Sequence, residues 1–294
     1  MKKTNIFNYV FILSLIFTSC NKDINDDFEA INESLNKDLL EATLKAEQTM
    51  IEGDIVEKSF LGSKIKVTSL GDGTYALGDM IFEEENFDTE DNQKGVVKNG
   101  VNFWPNRTIL YRHSSSMSAS AVSKIEKAAQ YINNNTNLNV RKWTTSDPEG
   151  YVWISSIESR GCSAQVGYLA KRYPGQKMNI ASGCNVGTTI HEFLHVAGVM
   201  HEQTHWNRDN YVNVYYSRIT DSYEHNWNKI TSGWDMSLAI DFNSIMMYGS
   251  YYFQTAYARS NGLPTMTKKD GSIIVPNRSY MSTNDKRLVN HMYR

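Results

Sequence analysis

The chain has 294 residues, 40% hydrophobic and 21% charged, which is room for one or two domains with a real core and excludes a wholly disordered protein. Five prolines and 18 glycines, with no repeat at a solenoid or propeller period, exclude collagen-like and low-complexity classes. The formal net charge of −2 conceals an asymmetry: residues 1–94 hold 9 Lys/Arg against 19 Asp/Glu (net −10), whereas residues 95–294 hold 21 against 13 (net +8).

In chain order, an apolar run over 10–17 follows Lys2 and Lys3. It is shorter than the roughly 20 residues a membrane span needs, so it predicts an export signal over 1–20. Its end, Phe17-Thr18-Ser19-Cys20, resembles a bacterial lipoprotein cleavage box, which predicts a lipid on Cys20 and an exported chain anchored at the outer membrane or cell surface. The segment 22–27 loosely resembles acidic surface-export tags. Phe28, Ile31, Leu35, Leu39, Ala42 and Ala46 recur at helical spacing and predict an amphipathic helix over about 26–50. Glycine turns and short strand-like pieces follow over 53–80, and the acidic run over 83–91 reads as a linker. Beyond Gly95 come a strand over 108–111, a helix over 120–133 and a strand over 151–154.

The chemistry lies in His191-Glu192-Phe193-Leu194-His195-Val196-Ala197-Gly198-Val199-Met200-His201. Residues four apart share a helix face, so His191 and His195 can hold one Zn²⁺ while Glu192 stands beside the water that the ion activates. Gly198 allows a sharp exit from the helix, which returns His201 as a third ligand. Three neutral imidazoles leave a coordination position open, the catalytic pattern of zinc sites.

This motif is the metzincin signature, and its continuation Glu202-Gln203-Thr204-His205-Trp206-Asn207-Arg208-Asp209-Asn210-Tyr211-Val212 resembles the astacin family of zinc endopeptidases. Ser244-Ile245-Met246-Met247-Tyr248-Gly249 resembles that family's Met-turn, and Trp104-Pro105-Asn106-Arg107-Thr108-Ile109-Leu110-Tyr111 its domain opening. Asn277-Arg278-Ser279-Tyr280-Met281-Ser282-Thr283-Asn284-Asp285 resembles the entry to its last helix, where Ser282 and Asp285 suit a capping box. His205 and Asn207 depart from the family's arginine and aspartate. The resemblance covers about 100–294. It implies an α+β, two-lobed zincin-like fold with a twisted, mostly parallel sheet, an active-site helix and a Met-turn. It divides the chain into a signal (1–20), a prosegment (21–96) and a catalytic domain (97–294).

The resemblance also implies roles. Glu192 would be general base and acid, and Tyr248 a resting zinc ligand that turns to the oxyanion, with Met246 beneath the metal. Glu202 would meet the mature N-terminal ammonium. Cys162 and Cys184 would form a disulfide, while the family's second bridge is absent, Asn137 standing near one of its positions. The strand around Asn179 would offer substrate a sheet edge. Arg278 would lie near the pocket for the residue after the scissile bond (P1′), favouring acidic side chains there. Latency would come from an aspartate of a Gly-Asp turn: Asp79 suits the spacing best, with Asp54, Asp72 and the Cys20 thiolate as alternatives. Partners would be protein or peptide substrates and an activating protease, unless maturation is autocatalytic, with membrane contact only through the lipid. A degenerate binding protein, another zinc hydrolase such as a glycan deacetylase, and a nucleic-acid binder are the competing classes. Intact Glu192 speaks against the first, the continuous motif against the second, and scattered basic residues without a motif against the third.

Overall fold

A computed structural model describes residues 41–49, 51–88, 101–147, 150–169, 175–231 and 239–294. The signal, Cys20 and most of the amphipathic segment over 26–50 lie outside the described residues, as does 89–100, the larger part of the 80–100 region where maturation is expected. The chain divides after Ala42, and the compact unit Thr43–Arg294 holds every element of the site.

After a helical stretch described over 41–47 (α1), four strands run as an antiparallel meander: β1 (Asp54–Phe60), β2 (Ser63–Ser69), β3 (Thr74–Leu77) and β4 (Met80–Glu83). Alternating burial along β2 seats Ile65 and Val67 in a cluster with Phe60, Leu77, Met80, Phe82 and Phe87, which continues into Val166 and Ile230. The acidic run does not act as a linker at its start. Glu83 belongs to β4 and accepts from the Gln165 side-chain amide at 2.9 Å, Phe87 is buried, and Asp88 accepts from the Gly62 N–H at 2.8 Å.

The remaining chain adds β5 (Thr108–His113), α2 (Ala119–Asn135), β6 (Asn139–Lys142), β7 (Val152–Ser155), β8 (Cys162–Gln165), β9 (Gln176–Ile180) and α3 (Val186–Val196). The nine-stranded sheet runs β1-β2-β3-β4-β8-β9-β7-β5-β6. β9, β7, β5 and β6 are parallel neighbours, and β8 alone among the body's strands in this sheet is antiparallel, to β9. On its other side β8 receives β4 in parallel, with Met80 opposite Ala164 and Ile81 opposite Gln165.

Ser118 caps α2 by accepting from the Ala121 N–H, and Ile125, Ala128, Ala129 and Ile132 face the main core with Ile190, Phe193, Leu194 and Val196 of α3. A second core gathers Val212, Trp227, Tyr248, Tyr252, Phe253 and Met266 around β10 (Val212–Val214) and β11 (Met266–Lys268), with α4 (Ala256–Ser260) between them in sequence. The last helix, α5 (Thr283–Met292), starts with the Ser282/Asp285 capping box. Cys162 and Cys184 are bridged, tying β8 to the approach of α3. Asn137, just past α2, is joined to the last helix by hydrogen bonds: its N–H donates to Asn290 Oδ1 at 2.6 Å and its side-chain amide to the Tyr293 carbonyl at 3.5 Å.

Candidate active site

Helix α3 begins at Asn185, whose side chain accepts from the Thr188 N–H at 2.8 Å. One helical turn apart, His191 and His195 lie on the same side of it, and Gly198 at φ +98° leaves the helix so that His201 comes back to them. A side chain at 198 would collide with Val101 as well as strain the backbone. The Nε2 atom of His201 lies 3.2 Å from that of His191 and 3.1 Å from that of His195.

The protons on two of these rings follow from their partners. His191 Nδ1 sits 2.8 Å from the Ile245 carbonyl and His195 Nδ1 2.7 Å from the Val199 carbonyl. A carbonyl only accepts, so both Nδ1 atoms carry the proton and both Nε2 lone pairs point inward. Burial pushes His191 and His201 down to about 4, keeping them neutral near pH 7. Lone pairs directed at one another repel, which is a poor arrangement unless a cation joins them.

Asp79 enters the same point from the meander. Its Oδ1 lies 2.9 Å from His201 Nε2 and 3.6 Å from His195 Nε2, its Oδ2 3.4 Å from His191 Nε2, and Oδ1 has no hydrogen-bond partner. The four ligand atoms fall within 4.8 Å of one another and all four residues are buried. Three imidazole nitrogens and one carboxylate oxygen at these spacings fit a single zinc ion. The turn that delivers Asp79 depends on Gly78, at φ +68°, whose N–H donates to Asn226 Oδ1 at 2.8 Å. A Cβ at 78 would come within 2.3 Å of the Tyr248 hydroxyl. The other two candidates are elsewhere: Asp54 is exposed at the start of β1, and Asp72 accepts from the Thr74 N–H in a surface turn.

Glu192 is fully buried beside the histidines, and neither carboxylate oxygen has a hydrogen-bond partner. Burial, then the charges of Asp79 and Glu47, push its carboxyl well above the usual range. The Tyr248 ring lies 4.7 Å from that of His201, and burial followed by the Asp79 charge raises its phenol well above 10. Met246 is buried in the main core, and its carbonyl accepts from the Glu202 N–H at 3.1 Å. The turn around it is clamped by Asp285, which accepts from Ser244 Oγ at 2.6 Å and from the Ile245 N–H at 3.0 Å. Glu202 itself accepts from the Asp241 N–H at 3.3 Å; burial and the neighbouring Asp285 and Asp241 carboxylates push it up to about 8.

Two expectations change with the geometry. Asn179 does not line an edge, because β9 is flanked on both sides by β8 and β7. Its buried amide is spent on its neighbours, Oδ1 accepting from the Ile157 N–H at 2.9 Å and Nδ2 donating to the Ile157 carbonyl at 2.8 Å. The edge of the body is β8, and β4 covers it. Arg278 is not an open pocket residue in this state. Its guanidinium is 1% exposed, with Nε 2.5 Å from Glu47 Oε1 and Nη1 donating to the Ile245 and Met247 carbonyls at 2.8 and 3.2 Å. Sequence reasoning missed Glu47; its place beside Ala46, on the apolar stripe of the N-terminal helix, was the available signal. It also missed Thr188, Asn226 and Tyr252, which carry no motif of their own.

Three imidazoles meeting at one point beside a buried, unpaired carboxylate, on a helix backed by a clamped methionine turn, define a zinc metalloendopeptidase of the metzincin kind. The model of the astacin peptidase family matches residues 96–294, and the chain belongs to that family. Zinc metalloproteinase nas-4 of Caenorhabditis elegans is 32% identical over 233 residues, 75% of this chain and 69% of that protein. Flavastacin of Elizabethkingia meningoseptica is 31% identical over 204 residues, 67% of this chain and 44% of that one, so the match spans under half of flavastacin's length. Among solved structures, high choriolytic enzyme 1, a hatching-enzyme zinc protease from the medaka Oryzias latipes, is similar with a TM-score of 0.57 at 27% identity, over 66% of this chain and 93% of that one.

Proposed function

We propose that the chain is made as a latent, exported endopeptidase, in which residues 1–20 are a lipoprotein-type signal ending at Cys20, 21–96 a prosegment and 97–294 the catalytic domain. The observation that carries the reading is the Asp79 carboxylate, 2.9 Å from His201 Nε2 and facing all three histidines, where a water or a scissile carbonyl must come for hydrolysis. Bound zinc would be held by His191, His195 and His201 and would supply Lewis acidity to water and to the scissile carbonyl. Glu192, buried beside the histidines with both carboxylate oxygens unpaired, takes the proton from the attacking water and hands it to the leaving amine. Tyr248, with a phenol that stays protonated, donates a hydrogen bond to the oxyanion.

Latency ends when an activating protease, or the enzyme itself, cuts within the 80–100 region. The acidic surroundings of Glu202 are suited to receive the ammonium of the new N-terminus, and the freed catalytic domain leaves the lipid on Cys20 behind. Substrate then replaces β4 along β8, with an acidic P1′ side chain at Arg278, whose planar fork of donors matches a carboxylate.

The test compares uncut and cut full-length chain on a peptide library, with and without chelator, beside Asp79→Ala. The uncut wild type should be inactive and the cut form active and chelator-sensitive, with Asp79→Ala raising uncut activity about tenfold or more. An Asp79→Ala chain as latent as wild type removes Asp79 from the role. A cut-site profile without acidic enrichment at P1′ removes the specificity.

A further inference from the structure

Glu47 lies in a site made for a carboxylate. Its Oε1 is 2.5 Å from Arg278 Nε and accepts from Thr188 Oγ1 at 3.2 Å, while its Oε2 accepts from the Tyr252 hydroxyl at 2.6 Å. Both charged side chains are 1% exposed. Glu47 comes from α1; all three donors come from the body.

The walls of this site are those of the reaction centre. Arg278 Nη1 and His191 Nδ1 donate to the same Ile245 carbonyl, each at 2.8 Å. Thr188 precedes Glu192 by four residues on α3, so the two share a face about one helical turn apart. The carboxylate is therefore seated against the same framework that holds the zinc ligand His191, on the Met-turn side. A tether whose only task was to pin α1 would be served as well by apolar contacts, because burying two charges costs desolvation that their attraction barely offsets. Arg278 Nη2 is buried with no hydrogen-bond partner, so Glu47 uses one edge of the fork and leaves a donor unmet.

From these contacts we infer that Glu47 is a built-in mimic of the substrate's acidic P1′ side chain, and that Arg278, Tyr252 and Thr188 together form the pocket that selects it. The inference rests on the proposed role of Arg278 at P1′ and extends it in two ways. Tyr252 and Thr188 become specificity-determining residues, and the region before residue 89 blocks the cleft at two separate points, Asp79 at the metal ligands and Glu47 in the pocket. Both blocking groups belong to one chain, so losing one leaves the other held at high effective concentration.

The experiment uses the full-length chain, uncut and cut, and two quenched peptides that differ only in Glu or Ala after the scissile bond. On an Asp79→Ala background, uncut Glu47→Gln should raise kcat/KM for the Glu peptide by about tenfold relative to Glu47, the scale of one charge-assisted hydrogen bond. After cutting, Tyr252→Phe should lower the Glu-to-Ala peptide ratio by about tenfold through KM. If the cut wild type prefers Glu and Arg278→Ala loses that preference, the P1′ reading stands. The inference is then overturned if Glu47→Gln leaves uncut turnover unchanged and Tyr252→Phe alters both peptides equally. No Glu preference in the cut wild type overturns the P1′ reading itself, and the mimic with it. Should Glu47→Gln fail to fold, Tyr252→Phe, which keeps the ring, decides the pocket in the cut enzyme.

Discussion

The body over 101–294 and the meander over 51–88 share one sheet but are held by different physics. The body has a large apolar core between α2, the parallel strands and α3, a disulfide, and helix caps at Ser118, Asn185 and Ser282. The meander has a small aromatic cluster and meets the body along only two residue pairs of strand register, β4 on β8. Beyond the apolar contact of its cluster with Val166 and Ile230, its hold is polar, and part of it falls at the chemistry: Asp79 among the histidines and Gly78 on Asn226, with Thr68 on His225 and Glu83 on Gln165 further off. Under the proposed latency, directional groups that a cut or a competing ligand can release are the attachment that suits 51–88, whereas the body gains from apolar area.

The widest gap between the two regions is expected at the catalytic base. Glu192→Gln should lower peptide hydrolysis by the cut chain about 10²–10⁴-fold, measured as kcat/KM, while protection of 51–88 from hydrogen exchange in the uncut chain stays at the wild-type level. Loss of that protection would mean that the base also holds the meander.

Next in size, replacing Cys162 and Cys184 together by alanine should cost about 3 kcal/mol, from the loop-closure entropy regained by the unfolded chain. Denaturant unfolding of the body reads this directly. A similar loss of meander attachment would contradict the independence of the two regions.

A third test uses pH. His225 is buried with Nε2 3.0 Å from Thr68 Oγ1, and burial, then the Lys66 charge on β2, push it down to about 4. A detached imidazole takes up its proton near 6.5, so attachment is full above that pH and weakens as pH falls from about 6.5 towards 4. Hydrogen exchange over 63–69 should rise through that window, and His225→Gln, which keeps a polar partner but cannot titrate, should flatten the rise. Exchange independent of pH in the wild type would place the hold of β2 elsewhere.

The smallest effect is expected at Ser282, where alanine removes the cap of α5 and should destabilise the body by about 1 kcal/mol in thermal or denaturant unfolding. Because Ser282 also donates to Asp241 Oδ2 at 2.6 Å, a much larger loss would show that the cap supports the Met-turn through the Asp241 and Asp285 carboxylates.

Much of the site is legible in the chain. His191, His195 and His201 can be placed because their spacing is local: a helix repeat and one glycine set their relation within eleven residues. The Ser282/Asp285 box and the strand at 108 are readable for the same reason, and the Cys162–Cys184 pair through family resemblance. The acidic run misleads because charge suggests solvent, whereas Glu83 finds Gln165 some eighty residues away.

The linear pattern alone carries the chemistry: which residues can hold zinc, which carboxylate can move a proton, and which family the motifs belong to. It took the folded arrangement to show that β8 rather than β9 forms the edge of the body, that Asp79 rather than Asp54 or Asp72 faces the histidines, and that Arg278 is met by Glu47. The physical reason is range. A motif works through bonds and helix periods along the chain, but strand order and buried ion pairs join residues up to 231 positions apart, and no local period encodes them.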